Sequence, residues 1–90
     1  MPRYLVHPVR AQGFSFVPKT EMVAAVVTHQ ADHGHIDILL PGFGPELENL
    51  FEQPIEDDQG NLHPPWSPGA VQFLLETALP RAGWMAVPAP

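Results

Sequence analysis

Residues 22–42 read Met-Val-Ala-Ala-Val-Val-Thr-His-Gln-Ala-Asp-His-Gly-His-Ile-Asp-Ile-Leu-Leu-Pro-Gly, and their pattern decides the fold. Met22 to Gln30 is rich in β-branched valine and free of proline and glycine, so it reads as a strand. Ala31-Asp32-His33-Gly34 is turn-prone. His35 to Leu40 is a second strand, stopped by Pro41-Gly42. Together they predict a β-hairpin. Side chains alternate between faces with a period of two, so the pattern also fixes the register. With Ile36, Ile38 and Leu40 on the core face, a loop of two or four residues pairs them with Val23, Ala25, Val27 and His29. Thr28 and Gln30 then share the outer face with His35 and Asp37. A three-residue loop mixes apolar and polar positions, so the first register is preferred.

Working outward, Arg3 to Val9 has strand composition, with Pro8 pointing to an edge strand or a strand end, because proline has no N–H for a ladder. Gln12-Gly13 predicts a turn, and Phe14, Phe16 and Val17 form a short apolar patch before Pro18. On the other side, Pro41 to Pro45 is a rigid loop. Glu46 to Ile55 fits two patterns: Leu47, Leu50 and Phe51 have helical spacing, and Leu47, Asn49, Phe51 and Ile55 half-fit alternation. Residues 56–61 are an acidic turn, and 62–68 are held extended by their prolines. Ser67-Pro68 opens a helix over about 68–79: serine is a favoured N-cap and proline a favoured first residue. Val71, Leu74, Leu75 and Ala78 make its apolar stripe, and Pro80 closes it. Residues 81–90 are an apolar tail, of which Gly83 to Val87 can add a strand. The predicted fold is mainly β: a small partly open barrel or curled antiparallel sheet, with one short C-terminal helix covering an edge or end.

Composition narrows the function. Ninety residues allow one domain, 1–90, with a thin core. Apolar residues make up 44% and charged residues 16%, which excludes wholesale disorder. The net charge of −6, with Arg3, Arg10, Lys19 and Arg81 as the four scattered cations, argues against direct nucleic-acid binding. With no cysteine there is no disulfide, thiolate metal site or thiol chemistry. No apolar run approaches the roughly 20 residues of a membrane helix, and the N-terminus lacks a signal-peptide core. The expected location is the cytoplasm of a host cell or a particle assembled there. The twelve prolines exclude long regular elements.

His29, Asp32, His33, His35 and Asp37 are the residue types of a Zn²⁺ or Ni²⁺ site. The register sends His29 and His35 to opposite faces, however, and leaves Asp32 and His33 at the loop tip. A polar turn is therefore preferred, with His29, His33 and His35 kept as weak metal candidates and no cofactor expected. His7, His29 or His63 with a carboxylate would make an acid–base pair. Ser15 and Ser67 lie in no nucleophile-elbow context, and Pro41–Pro45 lacks the lysine and glycine spacing of a phosphate loop. An enzyme is not expected. Two surfaces remain as partner candidates. One is the acidic block Glu46, Glu48, Glu52, Glu56, Asp57 and Asp58, the last three foremost; its competing reading is a solvated face. The other is the apolar set Trp66, Trp84 and Met85; its competing reading is core packing.

The stretch 22–42, followed by Asp58-Gln59-Gly60 and Pro65-Trp66-Ser67-Pro68, resembles a pattern of small accessory proteins encoded by tailed phages. There a strand of the form AAxVT leads through a polar turn to one of the form xVDLxV ending in Pro-Gly. The likeness covers residues 20–68 and implies an SH3-like β-barrel, a viral source and no assigned activity. The helical look of 45–53, His63-Pro64-Pro65 before the tryptophan, the helix after 68 and the apolar tail all depart from it. The expected function is a non-catalytic structural or protein-interaction module, a phage particle component that self-associates or docks on a larger protein. The alternatives are an acidic inhibitor occupying a nucleic-acid-binding surface of a host protein and, behind it, a histidine-dependent metal enzyme.

Overall fold

Arg3–Gln12 (β1) is the spine of the molecule, in a computed structural model that describes residues 2–12 and 15–90. Ala25–Gln30 (β3) pairs antiparallel with its first half, joining Leu5 to Val26 and Val6 to Ala25. His33–Ile38 (β4) extends the sheet beyond β3. Trp84–Pro88 (β7) lies along the opposite edge of β1 and joins Val6 to Ala86. Ser15–Pro18 (β2) pairs with the second half of β1, from Val9↔Pro18 to Gln12↔Ser15. The result is one five-stranded antiparallel sheet. Of the two predicted forms it is the open sheet: no pairing among the described residues closes it into a barrel. The predicted turn at Gln12-Gly13 and the Phe14 end of the apolar patch fall partly outside the described residues.

Pro8 corrects the expectation of an edge strand. The Pro8 carbonyl accepts from Lys19 N at 2.8 Å and the Val6 carbonyl from Ala24 N at 2.8 Å, so both face the edge shared by β2 and β3. Val9 N faces the other way and donates to Gly83 O at 3.0 Å. The missing N–H of Pro8 therefore points to the gap between β2 and β3, and β7 loses no ladder bond.

The hairpin has the predicted parity, with Val27 opposite Ile36, Ala25 opposite Ile38 and Thr28 opposite His35. Its loop is the shorter alternative, Ala31-Asp32. The first strand starts later than predicted, at Ala25, and the second ends earlier, at Ile38. The Ala24 carbonyl takes both Leu39 N and Leu40 N, which turns the chain out of the ladder.

A 3₁₀ turn, Pro41–Phe43, leads into α1, Gly44–Phe51. The helical reading wins there because Leu47 and Phe51, one turn apart, both find the core and are 0% and 1% exposed. Burying each is worth about 1.5–3 kcal/mol. A two-strand ladder, Ile55–Glu56 (β5) with Leu62–His63 (β6), follows. Ser67 then caps α2, Pro68–Phe73, its hydroxyl accepting from Ala70 N at 3.3 Å.

Pro80 does not close the helix. The chain widens into a π turn over Leu74–Ala78, where Leu79 N bonds back to Leu74 O, and continues as α3, Leu79–Arg81. A proline ring in a regular α-helix meets the carbonyl four residues back, here Glu76, and the wider turn relieves that contact. Leu74 and Leu79 bring this helical run onto the sheet face rather than onto an edge, and Val6, Ala25, Val27, Ile36, Leu47, Phe51 and Trp84 complete the core.

Candidate functional site

All the helical cover lies on one face of the sheet. The opposite face carries Leu5, Val26 and Val87, joined side by side by the register, with Met85 beside them. The three are half-buried, and Met85 is 37% exposed. At one end of this face His7 is 3% exposed, and its Nδ1 donates to the Met22 carbonyl at 2.8 Å. The rest of the row is a half-buried apolar strip that no described helix covers. Sequence reasoning named Met85 but missed the rest of the strip, because β1 and β7 are apolar at both odd and even positions. Alternation gives no preferred face there, and only the tertiary cover chooses one.

Trp84 and Met85 separate by the same alternation. Trp84 is 3% exposed, meets Phe43 edge-on at 5.0 Å and donates from Nε1 to Glu46 Oε1 at 3.3 Å. It is a core residue, whereas Met85 faces outward. Trp66 is also packed against the core. Its ring stacks on Phe51 at 5.3 Å and lies over Gly34, where an added Cβ would fall 2.0 Å from the ring. His29 donates to the Trp66 carbonyl at 3.0 Å. Trp66 sits at φ 63°, a left-handed backbone that a bulky residue holds only where its surroundings enforce it.

The acidic block is half spent inside the molecule. Glu46 serves Trp84. Asp58 accepts a two-pronged bond from Arg81, 2.8 Å on each arm. Asp57 Oδ1 accepts from the backbone N–H groups of Gln59 and Asn61 at 2.9 Å each, and its Oδ2 accepts from His63 Nε2 at 2.8 Å. The His63 bond first, then the backbone donors, hold the Asp57 carboxyl below its ordinary range. The Arg81 fork does the same for Asp58, and Asp58 in turn raises the Arg81 guanidinium. Glu48, Glu52 and Glu56 remain exposed, with no ion pair among the described residues.

Asp57 and His63 line an open cleft of about 480 Å³ with Gln72, Glu76 and Thr77. Of the three histidines considered for a carboxylate–imidazole pair, His63 has such a partner, and His7 and His29 bond to backbone carbonyls instead. The partner was legible in principle, since Asp57-Asp58-Gln59-Gly60 is a turn that folds residue 57 back toward residue 63 across β5–β6. The other edge of the ring, Nδ1, presses on Gly69, where a Cβ would fall 2.6 Å away. Ser67 Oγ is engaged with Pro64 O at 2.7 Å and with Ala70 N. This arrangement clamps the β5–β6 turn onto the first turn of α2.

The histidines of the first hairpin do not converge. His29 lies on the helix-covered face against Trp66, His35 pairs with Asp37 at 2.8 Å on the outer face, and His33 meets Asp32 at 3.3 Å at the tip. Among the described residues no group of three histidine or carboxylate side chains is placed to hold a metal ion, and no helix is long and apolar enough to cross a membrane. In comparisons with protein families, curated proteins and solved structures, nothing matches this chain.

Proposed function

We propose that this protein is a non-catalytic structural or protein-interaction module that self-associates or docks on a larger protein, in the manner expected of a phage particle component. The observation that carries the reading is the strip Leu5, Val26, Met85 and Val87, an apolar sheet face with no helix over it among the described residues. Covering such a strip removes apolar surface from water at about 25 cal/mol per Å². Reading the chain as an acidic mimic of nucleic acid has less support, because Asp57 and Asp58 are engaged within the molecule. Support for catalysis is weaker still, since the one carboxylate–imidazole pair is seated against Gly69 as a clamp.

The test is sedimentation velocity of the wild-type chain over a wide concentration range, beside Met85→Lys and Val87→Lys. Each lysine should weaken association by about tenfold or more, the penalty of leaving a charge against an apolar contact. A wild-type chain that stays monomeric and captures no protein, or association that both lysines leave unchanged, overturns the proposal.

A further inference from the structure

Strand register fixes which charges stand beside the apolar strip. Leu5 is joined to Val87 on one side and to Val26 on the other, and Val26 is joined in turn to Asp37, so one row across four strands reads Val87, Leu5, Val26, Asp37. Arg3 lies on the same face, two residues from Leu5 along β1 and opposite Thr28. Both charged residues are exposed. Among the described residues Arg3 has no acidic partner, and Asp37 meets the His35 ring through one of its two oxygens, at 2.8 Å.

The charge of this face is unlike that of the whole chain. With ten acids and a net charge of −6, two copies repel over most approaches. Where β1, β3, β4 and β7 run side by side, over 3–8, 25–30, 33–38 and 84–88, Arg3 and Asp37 are the two formally charged residues, and they cancel. They flank the apolar centre, Leu5 and Val26, on different sides. A face with one charge of each sign beside an apolar centre is complementary to itself: turned over about a two-fold axis, each copy brings its cation to the other's anion. Stacked sheets lie about 10 Å apart, a gap that an arginine and an aspartate reaching from opposite sides close.

We infer that two copies pack this sheet face against itself, with Arg3 of each set against Asp37 of the other and Leu5 and Val26 between them. The inference rests on the self-association reading above and names its partner, a second copy, and its contact. Both copies use the same patch, so the assembly closes at two and does not propagate.

Two charge-reversed chains test this, Arg3→Asp and Asp37→Arg, each checked for folding by circular dichroism. Wild type should sediment as a monomer–dimer equilibrium with no larger species. Either reversal sets like charges together twice in each dimer, so each variant alone should dimerise at least about tenfold more weakly. An equimolar mixture of the two should recover most of the loss, because a dimer with one copy of each has both pairs matched again. The deficit of each variant should shrink as salt rises to about 1 M, where the screening length is about 3 Å. Arg3→Gln and Asp37→Asn serve should a reversal unfold, and each should weaken the dimer by about threefold or more. If wild type associates through Met85 and Val87 but ignores the charge variants, fails to recover in the mixture, or grows past two copies, this contact is wrong while the apolar-strip reading stands. A chain that stays monomeric but captures a larger protein through the strip overturns this inference alone. A chain that is monomeric and captures nothing overturns both.

Discussion

Single side chains hold this small domain through close approach. Gly34 is glycine because the Trp66 ring occupies the space of a Cβ, 2.0 Å away. Gly34→Ala should therefore cost about 2–3 kcal/mol in urea unfolding, as overpacking does. Gly42→Ala, where an added Cβ meets nothing within 4 Å, should change stability by less than about 0.5 kcal/mol. Equal effects at the two positions would contradict the seat described for Trp66. Ala31 presents the opposite case: at φ 56° it holds the tip of the hairpin in a conformation that suits glycine. Ala31→Gly removes a strain of about 1–2 kcal/mol and adds about 0.5–1 kcal/mol of unfolded-chain entropy, so stability should stay level or rise by up to about 1.5 kcal/mol.

At the scale of elements, the β5–β6 turn and the start of α2 are joined through Asp57 and His63. The Asp57 carboxyl is held below its ordinary value of about 3.8 in the folded chain. A depressed carboxylate stabilises the fold above its unfolded pKa, and the stabilisation is lost as pH falls through the folded value. Asp57→Asn should lower the urea midpoint at pH 7 and flatten its decline below about pH 4. An unchanged acid limb would mean that the pair contributes nothing to the clamp. Asp58 titrates in the same sense through Arg81, but this pair is solvated on both sides, so its removal should have the smaller effect. The helical run from Pro68 to Arg81 shows tertiary packing overriding a local stop signal: Leu79 is fully buried, and the π turn before it keeps the run intact through Pro80.

For the whole molecule, a thin core makes each large side chain count. Phe51 is 1% exposed within the core and stacks on Trp66, whereas Leu62 is 67% exposed. Phe51→Ala should cost about 3–5 kcal/mol, much of the roughly 5–15 kcal/mol that holds a domain together. Leu62→Ala should be close to neutral, and thermal unfolding of the two variants distinguishes them. The open edges are managed unevenly. The β7 edge ends at Pro88 and the β4 edge carries His33, His35 and Asp37, residue types that discourage strand addition. The outer apolar strip has no such protection among the described residues, which is why the proposal of association falls on it.

The mainly β class, the hairpin with its parity, the serine cap of the second helix and the separation of His29 from His35 were all legible in the sequence. Each follows from local periodicity or from a single residue's hydrogen-bonding chemistry. Helix against strand at Leu47–Phe51, the central place of β1 despite Pro8, the continuation through Pro80 and the partnering of Asp57 with His63 were decided only in three dimensions. At those positions the local signal was two-valued or pointed the other way, and the energy that settled it came from residues distant in the chain. The same holds for the surface: the sequence marked Trp66, Trp84 and Met85 as equals, and only the packing of the helical layer on one sheet face buried Trp84 and left Met85 outside.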